Sequence, residues 1–330
     1  MTNPRITVIT PSYNQGAFIE ETICSILGQQ YDNLEYIVID GGSNDGSPET
    51  IRKYESKLTY WISEKDRGQT HAINKGLQRA TGDILVWINS DDMLEPEALS
   101  RVARYFTNHP DVDVVHGQTI LFGGVSQLIR GADPANLPFQ YLSGMAFPQP
   151  SAFIRRSAML AHYPMMDESL HYGMDFDLFS CLFLNGNFLS VPDVFSRYRL
   201  HPASKTVLTH ERFAVDWQKV FCKVVASLGG NAKIENGLRE LGMWMDSPDR
   251  YPTTKKLSED FLMASFQHFL VFQINFYYRD LNVRRVKAIA SFIQRNFPIT
   301  YEKQHLRRLH LASRVPFARY LIPLVRKSSF

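Results

Sequence analysis

Cysteine is scarce in this chain: three residues in 330, at positions 24, 181 and 222, with no CxxC pair. That excludes a disulfide framework and a cysteine zinc site, and a reducing compartment fits best. Long apolar runs are missing too. The N-terminal stretch MTNPRITVIT has neither the basic start nor the apolar centre of a secretion signal. The most apolar later stretch, residues 261–276, is broken by Gln267, His268, Gln273 and Asn275, so a membrane-spanning helix is not expected. The expected location is the cytoplasm, or the inner face of the cell membrane as a peripheral protein. A dinucleotide fingerprint is also absent: the first apolar strand runs into PSYNQG at 11–16, not GxGxxG, which removes the main support for hydride transfer. With 44% hydrophobic and 21% charged residues, wholesale disorder is excluded.

Negative charge nearly vanishes at one end. Residues 282–330 hold eleven Lys and Arg against one acid, Glu302, a net +10, so the first 281 residues carry −7 of the overall +3. Such asymmetry points to an anionic partner. No nucleic-acid motif accompanies it, and nucleic acid is not expected as a partner. Leu306, Leu309, Val315, Phe317, Leu321, Ile322, Leu324 and Val325 interleave with the basic residues, as in a segment lying on an anionic membrane. The alternative is that this end packs on the protein or on a second subunit, with its charges in water.

What is present is alternation. Apolar, β-rich runs at 5–10, 34–40, 58–63, 83–88 and 112–116 are separated by helical patterns at 16–29, 48–54, 70–79 and from Pro96 to about Phe106. This predicts an α/β domain with a mostly parallel sheet flanked by helices. Residues 121–205 are less periodic and rich in proline and aromatics, and read as a loop-rich half completing a pocket. From 210 onward the pattern is helical, with Val283, Val286, Ile289, Ala290, Ile293 and Phe297 on one face. The expected division is 1–205, in halves 1–120 and 121–205, followed by a helical, basic region 206–330.

Ligands on such sheets bind beyond the carboxyl ends of the strands, and chemistry-bearing residues gather there. Asp91 and Asp92 follow the strand at 83–88. Adjacent carboxylates beside an apolar strand must be solvated, paired or bound to a cation, and Mg2+ or Mn2+ takes one or two carboxylates together with substrate phosphates. Capping of the helix that Pro96 opens is the competing reading. Asp40 ends a second strand before GGSNDG at 41–46, where a plain turn competes with close approach to a ligand. Tyr13, after the first strand, offers a stacking surface, and Arg67 lies where a phosphate or base is within reach, or else is a solvated surface residue. Base, ribose and metal-bridged pyrophosphate suit this set.

The motifs TVITPSYNQ at 7–15, VIDGGSNDG at 38–46, SEKDRGQ at 63–69, AINKG at 72–76 and NSDD at 89–92 occur in order on the predicted elements. Together they resemble family 2 glycosyltransferases of the GT-A fold, in particular the bacterial branch that builds O-antigen and exopolysaccharide units. The likeness spans roughly residues 5–205. It implies that Pro11 and Tyr13 border the nucleotide, that Asp40 holds uracil and Asp91 the ribose, and that Asp92 ligates Mn2+ or Mg2+. It further implies an activated sugar donor, inversion at the anomeric carbon, and a general base.

HYGMDFDLF at 171–179 stands where related enzymes carry an acidic pair; here Met174 precedes Asp175. Asp175 is the expected base and Asp177 its competitor, whose other reading is capping or pairing in the helix. Gln149, in PQPS at 148–151, is either part of an acceptor pocket or of a proline-stiffened loop before a strand. His201, in RYRLHP at 197–202, either touches phosphate or metal or is a surface residue. The expected function is metal-dependent transfer of one sugar to a glycan, on a lipid-diphosphate carrier. A non-catalytic nucleotide-sugar or glycan-binding module of the same fold is the alternative, and a nucleotidyltransferase a weaker one.

Overall fold

The computed structural model describes residues 3–124, 126–205, 210–304 and 306–314. Its contacts divide it into two units, one of Met1–Tyr141 with Met145–Pro202 and one of Leu142–Gly144 with Ala203–Phe330.

In the first unit, β1 (Ile6–Ser12), β2 (Leu34–Asp40), β3 (Tyr60–Ser63) and β4 (Ile84–Trp87) run parallel in the order β3-β2-β1-β4. All of β1 and all but Leu34 of β2 are buried. That is why these strands read as mostly apolar runs without strict alternation: helices cover both faces of a parallel sheet. Helix α1 (Ile19–Leu27) buries Ile19, Ile23 and Ile26, and α4 (Ala98–Asn108) buries Leu99, Val102 and Phe106, in one core with Val8, Tyr36 and Val86. Helix α2 (Ser47–Arg52) follows β2, and α3 (Gln69–Arg79) crosses β1 closely. Gly76 makes that approach possible, because a Cβ there would lie 2.5 Å from Ile9 Cγ2.

The sheet continues through β8 (Ala152–Arg155), β6 (Val114–Phe122), β9 (Phe188–Arg199) and the short β5 (Met93–Leu94), with β7 (Gln127–Ile129) paired to β6. Pairing here is mixed: β8 is antiparallel to β4 and β6, β5 to β9, and β7 to β6, while β6 and β9 are parallel. Residues 121–205 are more regular than the sequence pattern predicts, since they also hold α5 (Arg156–His162) and the twelve-residue α6 (Met174–Asn185). Strand β9 escapes pattern reading because its exposure does not alternate and Pro192 interrupts it. Pairing with β6 lapses between Ser190 and Val194, where the register shifts, and a proline is tolerated at such an irregularity.

The second unit is helical: α7 (His210–Ser227), α8 (Ala232–Glu240), α9 (Glu259–Arg279), α10 (Val283–Asn296), α11 (Pro298–Lys303) and α12 (Leu306–Arg314). Its centre is aromatic, with Phe221 stacked on Phe269 at 4.2 Å between ring centroids. The expected apolar face of α10 is inside: Val286, Ile289, Ala290 and Ile293 are fully buried. Leu306 is buried as well, whereas Val315, Phe317, Leu321, Ile322, Leu324 and Val325 lie outside the described residues. No described helix is long and apolar enough to cross a membrane.

One buried charge ties the amino ends of the parallel strands together. Glu35, on β2, accepts from Thr7 Oγ1 at 2.5 Å and from Thr81 N and Oγ1 at 2.7 Å, and pairs with Arg5 at 3.2 Å. Burial alone would raise its pKa; the hydrogen bonds from Thr7 and Thr81 and the Arg5 charge outweigh it and hold the carboxyl below its ordinary 4.5. Glu35→Gln would place an NH2 among N–H and O–H donors and should cost about 2–3 kcal/mol at neutral pH, read by denaturant unfolding. A depressed folded-state pKa means that this stabilisation is present above about pH 4.5 and fades as pH falls through the folded value, so wild type and variant should converge in acid. A gap that persists unchanged at low pH would refute the assignment.

Candidate active site

Beyond the carboxyl ends of the parallel strands, the loops are stitched to one another by short polar side chains. Ser12, Asp40 and Ser63 share one register row. Asp40 is fully buried, and its carboxylate accepts from Gly42 N, Ser43 N, Ser43 Oγ and Ser63 Oγ at 2.6–3.1 Å. Gly42 adopts φ +80°, a left-handed turn that suits glycine. Asn14 and Gly16, after β1, bond to Ser43 and Asp45 after β2: Asn14 N donates to Ser43 Oγ at 2.8 Å and Gly16 N to Asp45 Oδ2 at 2.7 Å. This seam closes the turn on which Tyr13 sits 62% exposed, next to buried Pro11.

The loop after β4 carries the two adjacent carboxylates. Asp91 Oδ2 lies 3.0 Å from His201 Nε2, both side chains mostly buried. Asp92 is fully buried; its Oδ1 accepts Arg199 N at 3.0 Å and its Oδ2 accepts Asn89 Nδ2 at 3.2 Å. Burial, then the neighbouring Asp91 charge, push the Asp92 pKa well above the usual carboxylate range, against the opposing pull of Arg199 and Asn89. A desolvated acid pair beside an imidazole is the donor set of a hard divalent cation that also takes substrate phosphates, so these residues fit Mg2+ or Mn2+. Among the described residues no three His, Cys, Asp or Glu form a group that could hold a metal ion by themselves.

The expected base stands at the start of α6. Asp175 is half-buried in the first turn, its Oδ1 accepting Phe176 N at 2.8 Å. Asp177 is fully buried and takes the hydroxyl of Tyr163. Burial and the Asp177 charge raise the pKa of that phenol, which therefore stays a donor. Helix α3 links the amino end of α6 to the acidic loop: Gln69 Nε2 donates to Asn89 Oδ1 at 2.7 Å, and Thr70 Oγ1 lies 2.8 Å from Met174 Sδ. Asn74, also on α3, grips Met166 through both N–H and carbonyl.

Two residues expected near ligand are engaged elsewhere. Arg67 donates from Nε and Nη2 to Glu168 Oε2 at 2.9 and 2.7 Å, on the surface. Gln149 is 9% exposed and donates to the carbonyl of Trp87, the last residue of β4, at 2.9 Å. Arg199, Asn89, Ser43, Ser63 and Glu168 were not singled out by the sequence reading. Arg199 and Asn89 lie inside motifs already noted, so position was legible there and partnership was not.

This arrangement, a parallel half joined to a mixed half that returns a strand to the acidic loop, is the GT-A fold. The solved S. aureus TarS fragment 1–349 in complex with UDP-GlcNAc superposes with a TM-score of 0.62 at 16% identity, covering 99% of this chain and 93% of that one. Mannosyltransferase PcManGT from Pyrobaculum calidifontis, in complex with GDP-Man and Mn2+, gives 0.54 at 17% identity, covering 95% and 86%. In sequence, residues 7–164 match the model of Glycosyl transferase family 2. An uncharacterized glycosyltransferase of Nostoc sp. is 24% identical over 212 residues, 61% of this chain and 66% of its own length. The putative teichuronic acid biosynthesis glycosyltransferase TuaG of Bacillus subtilis is 36% identical over 106 residues, 31% of this chain and 42% of its own. The chain thus matches just under two thirds of the first relative's length and less than half of the second's.

Asp177 and Tyr163 provide a test of which carboxylate on α6 is structural. Tyr163→Phe removes the donor from a fully buried acid and should lower unfolding stability by about 1–3 kcal/mol. An unchanged denaturant midpoint would return Asp177 to contention as the reacting group.

Proposed function

We propose that this chain is an inverting glycosyltransferase that moves a sugar from a nucleotide-diphosphate donor, a UDP-sugar, to a hydroxyl of a glycan acceptor in the assembly of a bacterial surface polymer. The observation that carries this reading is the contact of His201 with Asp91, next to buried Asp92 beyond the strand ends, with Met174, the neighbour of Asp175, joined to the same loop through α3. Support for the donor class comes from fold neighbours that hold UDP-GlcNAc and GDP-Man. Support for the polymer class comes from the likeness to TuaG.

In this reading the nucleotide lies across Pro11, Tyr13 and Asp40, with Asp91 toward the ribose. Asp40 Oδ2 already accepts from Gly42 N, Ser43 N and Ser63 Oγ, whereas Oδ1 accepts only from Ser43 Oγ, so Oδ1 is the oxygen with room to accept a uracil N–H. Arg67 exchanges Glu168 for phosphate, a cheap exchange because an exposed ion pair contributes at most about 1 kcal/mol. Asp92 and His201 would hold the divalent cation, Mn2+ or Mg2+, which would supply positive charge for the departing diphosphate. Asp175 takes the proton from the acceptor hydroxyl as its oxygen bonds to the anomeric carbon, opposite the breaking bond to diphosphate. Gln149, bound to the Trp87 carbonyl, fixes the wall of the acceptor side from behind.

The acceptor is proposed to be carried on a lipid diphosphate, with the basic C-terminal stretch of net +10 resting on the anionic inner leaflet. Full-length protein should sediment with phosphatidylglycerol vesicles at low salt and be released as ionic strength rises. Absence of binding at low salt would favour packing of this segment on the protein.

Two variants separate binding from chemistry. Asp92→Asn should abolish the Mn2+-dependent rise in melting temperature caused by a UDP-sugar, whereas Asp175→Asn should keep that rise and lose at least about 100-fold in turnover. Full turnover in Asp175→Asn would move the base elsewhere. Donor binding without transfer in wild type, across acceptors, would favour a binding module.

A further inference from the structure

The acidic loop is held from the far side by one arginine that the reading of the site leaves without a role. Arg199 ends β9, in register with Phe122 at the end of β6. Its backbone N–H donates to Asp92 Oδ1 at 3.0 Å, and its Nε donates to the Asp91 carbonyl at 3.0 Å. Its Nη2 reaches Glu21 Oε2, in the first turn of α1, at 2.7 Å. The guanidinium carbon lies 4.4 Å from the ring centroid of Phe122 and 4.8 Å from that of Phe18. The Phe18 ring in turn lies 4.7 Å from that of His201, which meets Asp91. One side chain thus touches the loop backbone, the ring beside the imidazole, and the helix behind both.

We infer that Arg199 is the positioning residue that sets the Asp91–Asp92 peptide and, through Phe18, the His201 ring in the geometry that receives a cation-bound diphosphate. The inference rests on the reading of this loop as a metal and diphosphate site. A planar, always charged fork suits this task, because it can direct one N–H along the loop and another toward Glu21 while its faces stack on two rings. Lysine would keep the charge and lose the fork.

Coulomb's law and positioning make opposite predictions here. A bare positive charge beside a cation site weakens cation binding, so its removal should tighten it. A residue that holds the ligands in place should weaken binding when altered, by about 10-fold in the manner of groups that orient metal ligands from outside. The experiment titrates Mn2+ into the full chain with saturating UDP, read by electron paramagnetic resonance, for wild type, Arg199→Lys, Arg199→Ala and Glu21→Gln. Arg199→Lys is expected to bind Mn2+ about 10-fold more weakly, and Glu21→Gln to shift in the same direction by less. Turnover of Arg199→Lys, low at limiting Mn2+, is expected to recover as Mn2+ is raised, which a general loss of folding would not allow. Mn2+ binding as tight as wild type, or tighter, in Arg199→Lys overturns the inference. Should Arg199→Ala not fold, the lysine and Glu21 variants decide. A wild type that binds no Mn2+ overturns the site reading itself, an outcome distinct from intact wild-type binding that the variants leave unmoved.

Discussion

The constraint on which the candidate site depends is the desolvation of two neighbouring carboxylates. Asp92 is fully buried beside Asp91, and an uncompensated buried charge costs several kcal/mol. Everything around the loop answers that cost. Asn89 and the backbone of Arg199 donate to Asp92, Thr22 Oγ1 donates to the Asp92 carbonyl at 2.7 Å, and His201 meets Asp91. The donors come from α1, from the loop itself and from the end of β9. The acidic pair therefore specifies where β9 must end, and with it the parallel return of β9 along β6. Short β5, pinned to β9 through Met93 and Arg197, is the next consequence.

These partners offset the cost only in part. Hydrogen bonds from neutral groups lower the cost of a carboxylate pair but do not cancel its mutual repulsion. The elevated pKa of Asp92 reports that residue of unfavourable charge. In the proposed function a dication arriving with a diphosphate would relieve it, and donor and metal binding would then support each other. The same logic distinguishes the two acids of α6. Asp177 is turned inward onto Tyr163, where its charge is held by a fixed donor. Asp175, two residues earlier and half-buried, stands at the amino end of the helix, where partial positive charge favours a carboxylate.

How much of this was legible from residues alone follows from the range of the interactions. Strands β1, β2 and β4 were plain because each is a short, mostly apolar, β-branched and aromatic run closed by polar residues. The residue types at their ends were plain for the same reason: Asp40, Asp91 and Asp92 are out of keeping with what precedes them. The start of α1 was misplaced by about three residues, since Phe18 closes a turn onto Gln15 before the helix proper begins at Ile19. Strand β9 was hidden by Pro192. Partnerships were the least legible. Arg199 and Asp92 are 107 residues apart, and no local pattern says which of the two arginines in RYRL will cap the acidic loop. Gln149 shows the opposite case, a motif position whose amide proves to be committed to the Trp87 carbonyl.

The basic C-terminal stretch divides under the same physical reading. Part of its amphipathic character is internal packing: α10 buries Val286, Ile289 and Ile293 and sends Arg285 Nη1 to the Leu241 carbonyl at 2.6 Å, and Leu306 and His310 are buried. These apolar residues are spent on the helical unit's own core and are not available to a membrane. What remains outward on the described helices is charge with scattered apolar side chains: Arg284, Lys287, Lys303 and Arg307 are exposed, as are Ile299 and Leu311. A membrane contact made by these described helices would be electrostatic first and apolar second. Its strength should accordingly follow lipid charge and ionic strength, not the depth of apolar insertion.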